Sequence, residues 1–426
     1  MPFDTAVTTA KALDMNDPLA DFRKRFVIDD PDLIYLDGNS LGRLPQATAE
    51  LMQNTIENGW GRRLIRSWNE GWIDLPSTLG ANIARLVGAQ PDEIIVSGAT
   101  SINLFKLAAA ALRARPGRER IVSDVFNFPS DLYILQGLID FLGKQHTLHL
   151  IPSRDGIHID DNAIDAAIDE DTALVTLSHV VFKSAFMYDM AWVTQRAHDA
   201  GALVVWDLSH AAGAVPVDLN ASNADMAVGC TYKYLNGGPG SPAFLYVRKD
   251  LQEKLMQPMW GWLGSDKPFD FALDYTPAAD ISRFKVGTPP VLSMTAIQAG
   301  VELLLQAGME RLREKSVSQT EYLIDLFDQW LAPLEFTLGS PRTATQRGSH
   351  ISLRHPQAYR ITRALIESPA PAVRVIPDFR APDNIRFGIT PLYTSYMDIF
   401  RAMERLREIT AKKIYEKYST EKPKVT

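Results

Sequence analysis

The sequence predicts an α/β protein: a large domain on a mostly parallel sheet, with a smaller α+β domain after it. Three observations lead there. Short β-branched runs alternate with longer helical stretches through the first part of the chain. One of them, Ala202-Leu203-Val204-Val205-Trp206, is apolar throughout, as a strand covered on both faces must be. After Pro289-Pro290 the texture changes to two long helical stretches and then short strands. Alternating strands and helices imply right-handed crossovers and a sheet that gathers ligands at the carboxyl ends of its strands.

Taken in order, residues 1–45 precede the regular pattern and are expected to pack with the smaller domain; 46–290 form the large domain and 291–426 the smaller one. Residues 93–96 read as a strand and 102–112 as the helix after it, followed by strand 121–122 and helix 129–142. Strand 173–177 leads to helix 190–200 and to the buried strand 202–206. Strands 226–228 and 243–247 close this part with little helical material between them. Beyond 290 come helices 294–306 and 310–330, strands 349–353, 373–376 and 385–387, and a final helix 396–418.

Composition narrows the function. Forty-four basic against 51 acidic residues leave a net charge of −7, which speaks against nucleic acid as a partner. A single cysteine, Cys230, excludes an intrachain disulfide, and no His-x-x-x-His pattern suggests a metal. The opening Met1-Pro2-Phe3-Asp4 lacks a signal-peptide pattern, and the apolar run 107–112 is too short for a bilayer. A cytoplasmic protein without a membrane partner is the expectation.

Four stretches carry candidate chemistry. In Thr231-Tyr232-Lys233-Tyr234-Leu235-Asn236-Gly237-Gly238, an amine follows a buried strand and precedes glycines; a desolvated lysine there can form a Schiff base with a carbonyl. The plainer reading is a solvated lysine beside a flexible turn. Asp207 ends an apolar strand, where a carboxylate can keep a ring nitrogen protonated or simply cap a helix. His210, three residues on, reads either as its neighbour or as core. Ser97-Gly98-Ala99-Thr100-Ser101 joins a strand to a helix and suits a phosphate, though a capping box would use the same residues. Phe126-Asn127-Phe128-Pro129-Ser130-Asp131 offers a ring to stack on a flat cofactor, or an ordinary core aromatic, with a carboxylate at a helix start. The joint order (phosphate cup, aromatic, carboxylate after a strand, lysine before glycines) points to a pyridoxal phosphate enzyme of fold type I, the aspartate-aminotransferase-like fold.

The sequence resembles the kynureninases over nearly its whole length. The matching blocks include Tyr35-Leu36-Asp37-Gly38-Asn39-Ser40-Leu41-Gly42, Leu64-Ile65-Arg66-Ser67-Trp68, Phe128-Pro129-Ser130-Asp131, Asp207-Leu208-Ser209-His210 and the lysine block. Gly261-Trp262, Gly287-Thr288-Pro289-Pro290 and Arg386-Phe387-Gly388 complete them. The resemblance implies that Lys233 holds pyridoxal 5'-phosphate and Asp207 pairs with its ring nitrogen. It further implies that Thr100, Ser101, Phe128, Asp131, Ser178, His210 and Tyr232 line the cofactor, with Tyr232 relaying protons. Trp262 and Thr288 would reach in from a second subunit of a homodimer with shared active sites. Arg386 would hold the substrate's α-carboxylate, with Ser40 and Trp68 near its aryl end. The implied reaction is hydrolysis of L-kynurenine, or its 3-hydroxy analogue, in tryptophan catabolism and NAD biosynthesis. Ser265 stands where these enzymes commonly have histidine and Pro377 where glycine is more usual, which bears on aryl selectivity.

Two rivals remain open from the sequence. A related fold type I lyase or transaminase, such as a desulfurase, would need Cys230 on a mobile loop. A non-catalytic cofactor-binding regulator would need a basic recognition helix, which the roughly 90 residues before the first strand lack.

Overall fold

A computed structural model describes residues 3–369 and 371–421. Helix Phe3–Met15 and a short strand β1 (Leu33–Tyr35) come first. The main sheet comprises β2 (Ile94–Val96), β3 (Arg120–Asp124), β4 (Thr147–Ile151), β5 (Thr172–Ser178), β6 (Leu203–Asp207), β7 (Met226–Gly229) and β8 (Phe244–Val247). Their order is β2-β8-β7-β6-β5-β3-β4, all parallel except β8, which runs against both neighbours. This arrangement fixes the connections. Helices Thr100–Arg113, Pro129–Phe141, Asp161–Ala167 and Met190–Asp199 are the crossovers between parallel strands. The antiparallel step from β7 to β8 needs no crossover, so that connection is free to carry the glycine-rich lysine block.

Side chains alternate across the strands, and each face has its own core. Val96, Val122, Val175, Leu177, Val204 and Trp206 pack on one side; Ile95, Ile121, Leu174, Leu203 and Val205 pack on the other. Strands β5 and β6 are buried along their full length, as their unbroken apolar runs predict. Trp206 is wholly enclosed, and its indole N–H donates to Thr194 Oγ1 at 3.1 Å. The sequence does not announce β4: it is an edge strand whose Thr147-Leu148-His149-Leu150 alternation leaves half its side chains in water.

A second, antiparallel sheet has the order β12-β13-β10-β9, from β9 (Thr337–Leu338), β10 (His350–Arg354), β12 (Asp378–Arg380) and β13 (Asn384–Gly388). Strand β11 (Arg374–Ile376) pairs instead with β1. Ile351, Leu353, Phe379, Ile385 and Phe387 point from the second sheet into a core shared with helix Tyr396–Ala411. The alternate positions His350, Ser352, Asp378, Asn384 and Arg386 therefore share the opposite, polar face, and all are buried.

The composition break at Pro289-Pro290 does not coincide with the change of core. Met294, Ile297, Val301 and Leu304 still pack in the first core, and the second begins at Tyr322, inside helix Met309–Leu326. The reason is amphipathic continuity: helix Ile297–Ala307 offers its apolar face to helix Leu75–Val87. The N-terminal segment likewise divides, with Ala6 and Ala10 in the second core and Leu19 and Phe26 in the first. Among the described residues no single helix is long and apolar enough to cross a membrane.

Candidate active site

The ends of β3, β5 and β6 are joined by a polar rail. Asp207 ends β6 next to Ser178 at the end of β5, its partner in the parallel register. Asp207 Oδ1 accepts the Ser209 N–H at 2.8 Å, and Oδ2 lies 3.3 Å from the Ser178 hydroxyl. That hydroxyl is also 2.9 Å from Asn127 Oδ1, and Asn127 Nδ2 donates to Ser123 Oγ on β3 at 3.0 Å. The carboxylate is thus buried and fixed in direction by the protein's own groups.

Lys233 rides on the connection after β7. Asn236 N–H donates to Lys233 O at 2.9 Å, Gly237 N–H to Thr231 O at 2.8 Å, and Asn236 adopts a left-handed φ of 55° to close the turn. Lys233 Nζ lies 5.9 Å from the Phe128 ring centroid and 5.8 Å from that of Tyr232. The N-terminal block presses against this turn: Gly42 N–H donates to Tyr232 O at 2.8 Å, and a Cβ at Gly42 would stand 2.3 Å from Lys233 O. Only glycine permits that approach.

Asp131, in the first turn of helix Pro129–Phe141, is buried with Oδ2 unpartnered. Burial and then the charge of Asp207 hold its carboxyl well above the usual range, while Lys233 pulls the other way. The three groups are therefore electrostatic neighbours. Phe128 precedes that helix and meets Phe182 edge-on at 5.3 Å. Burial raises the Tyr232 phenol, which stays protonated at neutral pH. His210 is buried with Nε2 unpartnered; burial, then Lys233 and Arg386, push its imidazole far down, so it is neutral.

Thr100 and Ser101 open helix Thr100–Arg113 directly after β2 and the left-handed Gly98. Ser101 Oγ is 3.0 Å from Ser130 Oγ, which ties two helix starts together. First-turn N–H groups have no partner within a helix and favour an anion. A cavity of about 1010 Å³ opens beside this end, bordered by Gly98, Ala99, Tyr232 and Thr288.

Arg386 projects from the polar face of the second sheet and is fully buried. Nη1 donates to Phe182 O at 2.6 Å; Nη2 donates to Ser40 Oγ at 2.9 Å and pairs with Asp378 Oδ2 at 2.6 Å, while Nε has no partner. Asp378 also takes Arg380 Nε at 2.6 Å. Asp37, beside this group, is raised to about 6, first by burial and then by the Asp378 charge.

Ser40, Ser178, Asp207, His210, Tyr232, Lys233, Phe128, Asp131 and Arg386 thus fall in one connected region. Trp68 instead packs edge-on against Trp72 at 5.6 Å, and Trp262 against Phe269 at 5.7 Å. Thr288 is exposed on the cavity wall. Sequence reasoning assigned no role to Asn127, Phe182, His350 or Asp378. Polar residues alternating with core residues in 350–354 and 378–380 are the available signal for the last two. Cys230 is buried, its thiol raised by burial and held 3.8 Å from Ser209 O, which does not suit a mobile nucleophile. Among the described residues no group of His, Cys, Asp and Glu gathers as a metal site.

Pyridoxal phosphate fits these residues. The unpartnered buried atoms Asp131 Oδ2 and His210 Nε2 supply polar contacts, the Phe128 ring supplies an apolar face, and the helix start at Thr100 suits a phosphate. Asp207 would face the ring nitrogen and Lys233 the aldehyde.

Residues 312–406 match the family model described as the kynureninase C-terminal domain. The chain is 44% identical over 409 residues to a kynureninase from Pseudomonas fluorescens, covering 95% of each. It is 47% identical over 406 residues to a kynureninase from Burkholderia mallei, covering 94% of each. In fold it is similar to an apo cysteine desulfurase from Thermococcus onnurineus, with TM-score 0.79, 20% identity, and coverage of 92% of this chain and 98% of that one.

Proposed function

The chain belongs to the kynureninase family, and we propose that it hydrolyses the Cβ–Cγ bond of L-kynurenine or 3-hydroxy-L-kynurenine, as a step in tryptophan catabolism and NAD biosynthesis. The observation that carries this reading is Lys233 Nζ held between the Phe128 and Tyr232 rings, with Asp131 feeling both Lys233 and Asp207. Pyridoxal phosphate, when bound, supplies the electron sink that makes Cα and Cβ of the substrate acidic.

The chain's own residues do the rest. Asp207, fixed by Ser209 and Ser178, keeps the ring nitrogen protonated. Arg386 anchors the α-carboxylate through a planar fork, with Asp378, Phe182 and Ser40 setting its plane. Lys233 Nζ takes the Cα proton and returns one to the product. Tyr232, kept protonated by burial, donates to the developing oxyanion or leaving carbon. Water adds its hydroxyl to the γ-carbon and Cβ gains a proton, so one C–C bond breaks to give anthranilate, or 3-hydroxyanthranilate, and L-alanine.

We further read the working unit as a homodimer. Trp260, Trp262, Phe269, Phe271 and Leu273 are all exposed on one segment of the chain, more apolar surface than an isolated subunit usually leaves in water. Sedimentation equilibrium should return twice the chain's mass, and a monomer at micromolar concentration contradicts it. For the reaction, the holoenzyme with L-kynurenine should release anthranilate and L-alanine one to one. An oxo acid in place of alanine would instead favour a transaminase.

A further inference from the structure

Neither the resemblance nor the proposed reaction gives His350 a role. It is wholly buried, and neither ring nitrogen completes a hydrogen bond, although the Phe182 carbonyl faces the ring. Buried polar groups are nearly always satisfied, so a fully enclosed imidazole without a bond calls for an explanation. Its position supplies one. In the antiparallel register His350 pairs with Gly388 and Ser352 with Arg386, so His350 and Arg386 are diagonal neighbours on the polar face. The His210 ring stands 5.8 Å away, centroid to centroid. Three buried nitrogen groups without partners therefore converge: Arg386 Nε, His210 Nε2 and the His350 imidazole.

We propose that His350 is a substrate-recognition residue that shares the α-carboxylate with Arg386, donating a neutral hydrogen bond beside the guanidinium. The inference rests on the reading of Arg386 as carboxylate anchor. Arg386 already spends one Nη1 hydrogen on Phe182 and both Nη2 hydrogens on Ser40 and Asp378, which leaves Nε and the second Nη1 hydrogen as its free donors. An ionised carboxylate has about four lone-pair sites, so a donor from β10 adds a further bond to those that Arg386 makes. Burial, then the nearby charges of Arg386 and Lys233, keep the imidazole uncharged, so it adds direction without adding another cation.

The test compares holoenzyme variants by calorimetric dissociation constants for L-alanine and for kynuramine, which is L-kynurenine without its α-carboxylate. His350→Leu should weaken L-alanine about 10- to 100-fold, the usual worth of a hydrogen bond to a charged group, and leave kynuramine within about threefold. KM for L-kynurenine should rise with the L-alanine constant while kcat changes less. His350→Gln, which keeps a donor, should restore most of the affinity. Unchanged L-alanine binding in His350→Leu overturns the proposal, as does equal weakening of both ligands, which would mark a general collapse of the site. If the leucine variant does not fold, His350→Glu carries the test: a carboxylate there should pair with Arg386 and exclude L-alanine while kynuramine still binds. Wild-type enzyme that fails to cleave L-kynurenine refutes the reaction itself; normal wild-type cleavage with indifferent variants refutes this inference alone.

Discussion

Replacing Asp37 by Asn should change how stability depends on pH in a way the structure fixes in sign and size. Asp37 sits beside Arg386 and Asp378, and its carboxyl is raised from an ordinary 3.8 to about 6, by burial first and by Asp378 second. The folded protein therefore binds this proton more tightly than the unfolded chain does. Below about pH 4 both states are protonated and there is no penalty. Between pH 4 and 6 the unfolded chain ionises while the folded one does not, so stability falls as pH rises. Above 6 the full penalty applies: the gap from 3.8 to about 6, at about 1.4 kcal/mol per pH unit, is about 3 kcal/mol. Asparagine cannot ionise. The stability of Asp37→Asn relative to wild type should thus rise by about 2.5 kcal/mol between pH 4 and 7, whatever its offset at pH 4. Urea transitions at matched cofactor concentration read this difference directly. A pH-independent difference would mean that folding does not raise the Asp37 carboxyl, and one falling with pH would mean that folding lowers it. Asp378→Asn removes the second cause and should shrink the pH-dependent part.

Two further substitutions probe the scaffold and the lysine turn. Thr194→Val leaves the buried Trp206 indole N–H without its acceptor and should cost about 1–3 kcal/mol in the same urea assay; a neutral result would mean the indole finds another partner. Gly42→Ala forces a Cβ to within 2.3 Å of Lys233 O, so the turn must shift. A displacement of about 1 Å at the reacting amine should lower kcat about 100-fold with folding largely intact, and unaltered kcat would show that the turn yields elsewhere.

The sequence made the main sheet legible because its strands are pure apolar runs and its crossovers are long. Asp207, Lys233 and Thr100 follow from that sheet, since each lies at or just beyond the end of a strand that can be recognised. Edge strand β4 escapes because Thr147 and His149 face water and dilute the apolar signal. The change of core escapes because Ile297–Ala307 is apolar on the face that meets the first core, and no turn residue marks where the chain leaves it. Asn127 and Asp378 show a different limit. Each acts through another side chain (Ser178 and Arg386), and such pairings appear only when the strands are set in register.

The proposed reaction needs the Lys233 amine to hold the cofactor, and the chain contains a second buried lysine that could compete for it. Lys106 is fully buried, donates to Phe284 O at 2.8 Å, borders the 1010 Å³ cavity, and is lowered by burial to about 7. Borohydride reduction of the holoenzyme followed by peptide mass mapping separates the two directly. The reduced pyridoxyl group should be found on Lys233; finding it on Lys106 would overturn the assignment of the cofactor amine.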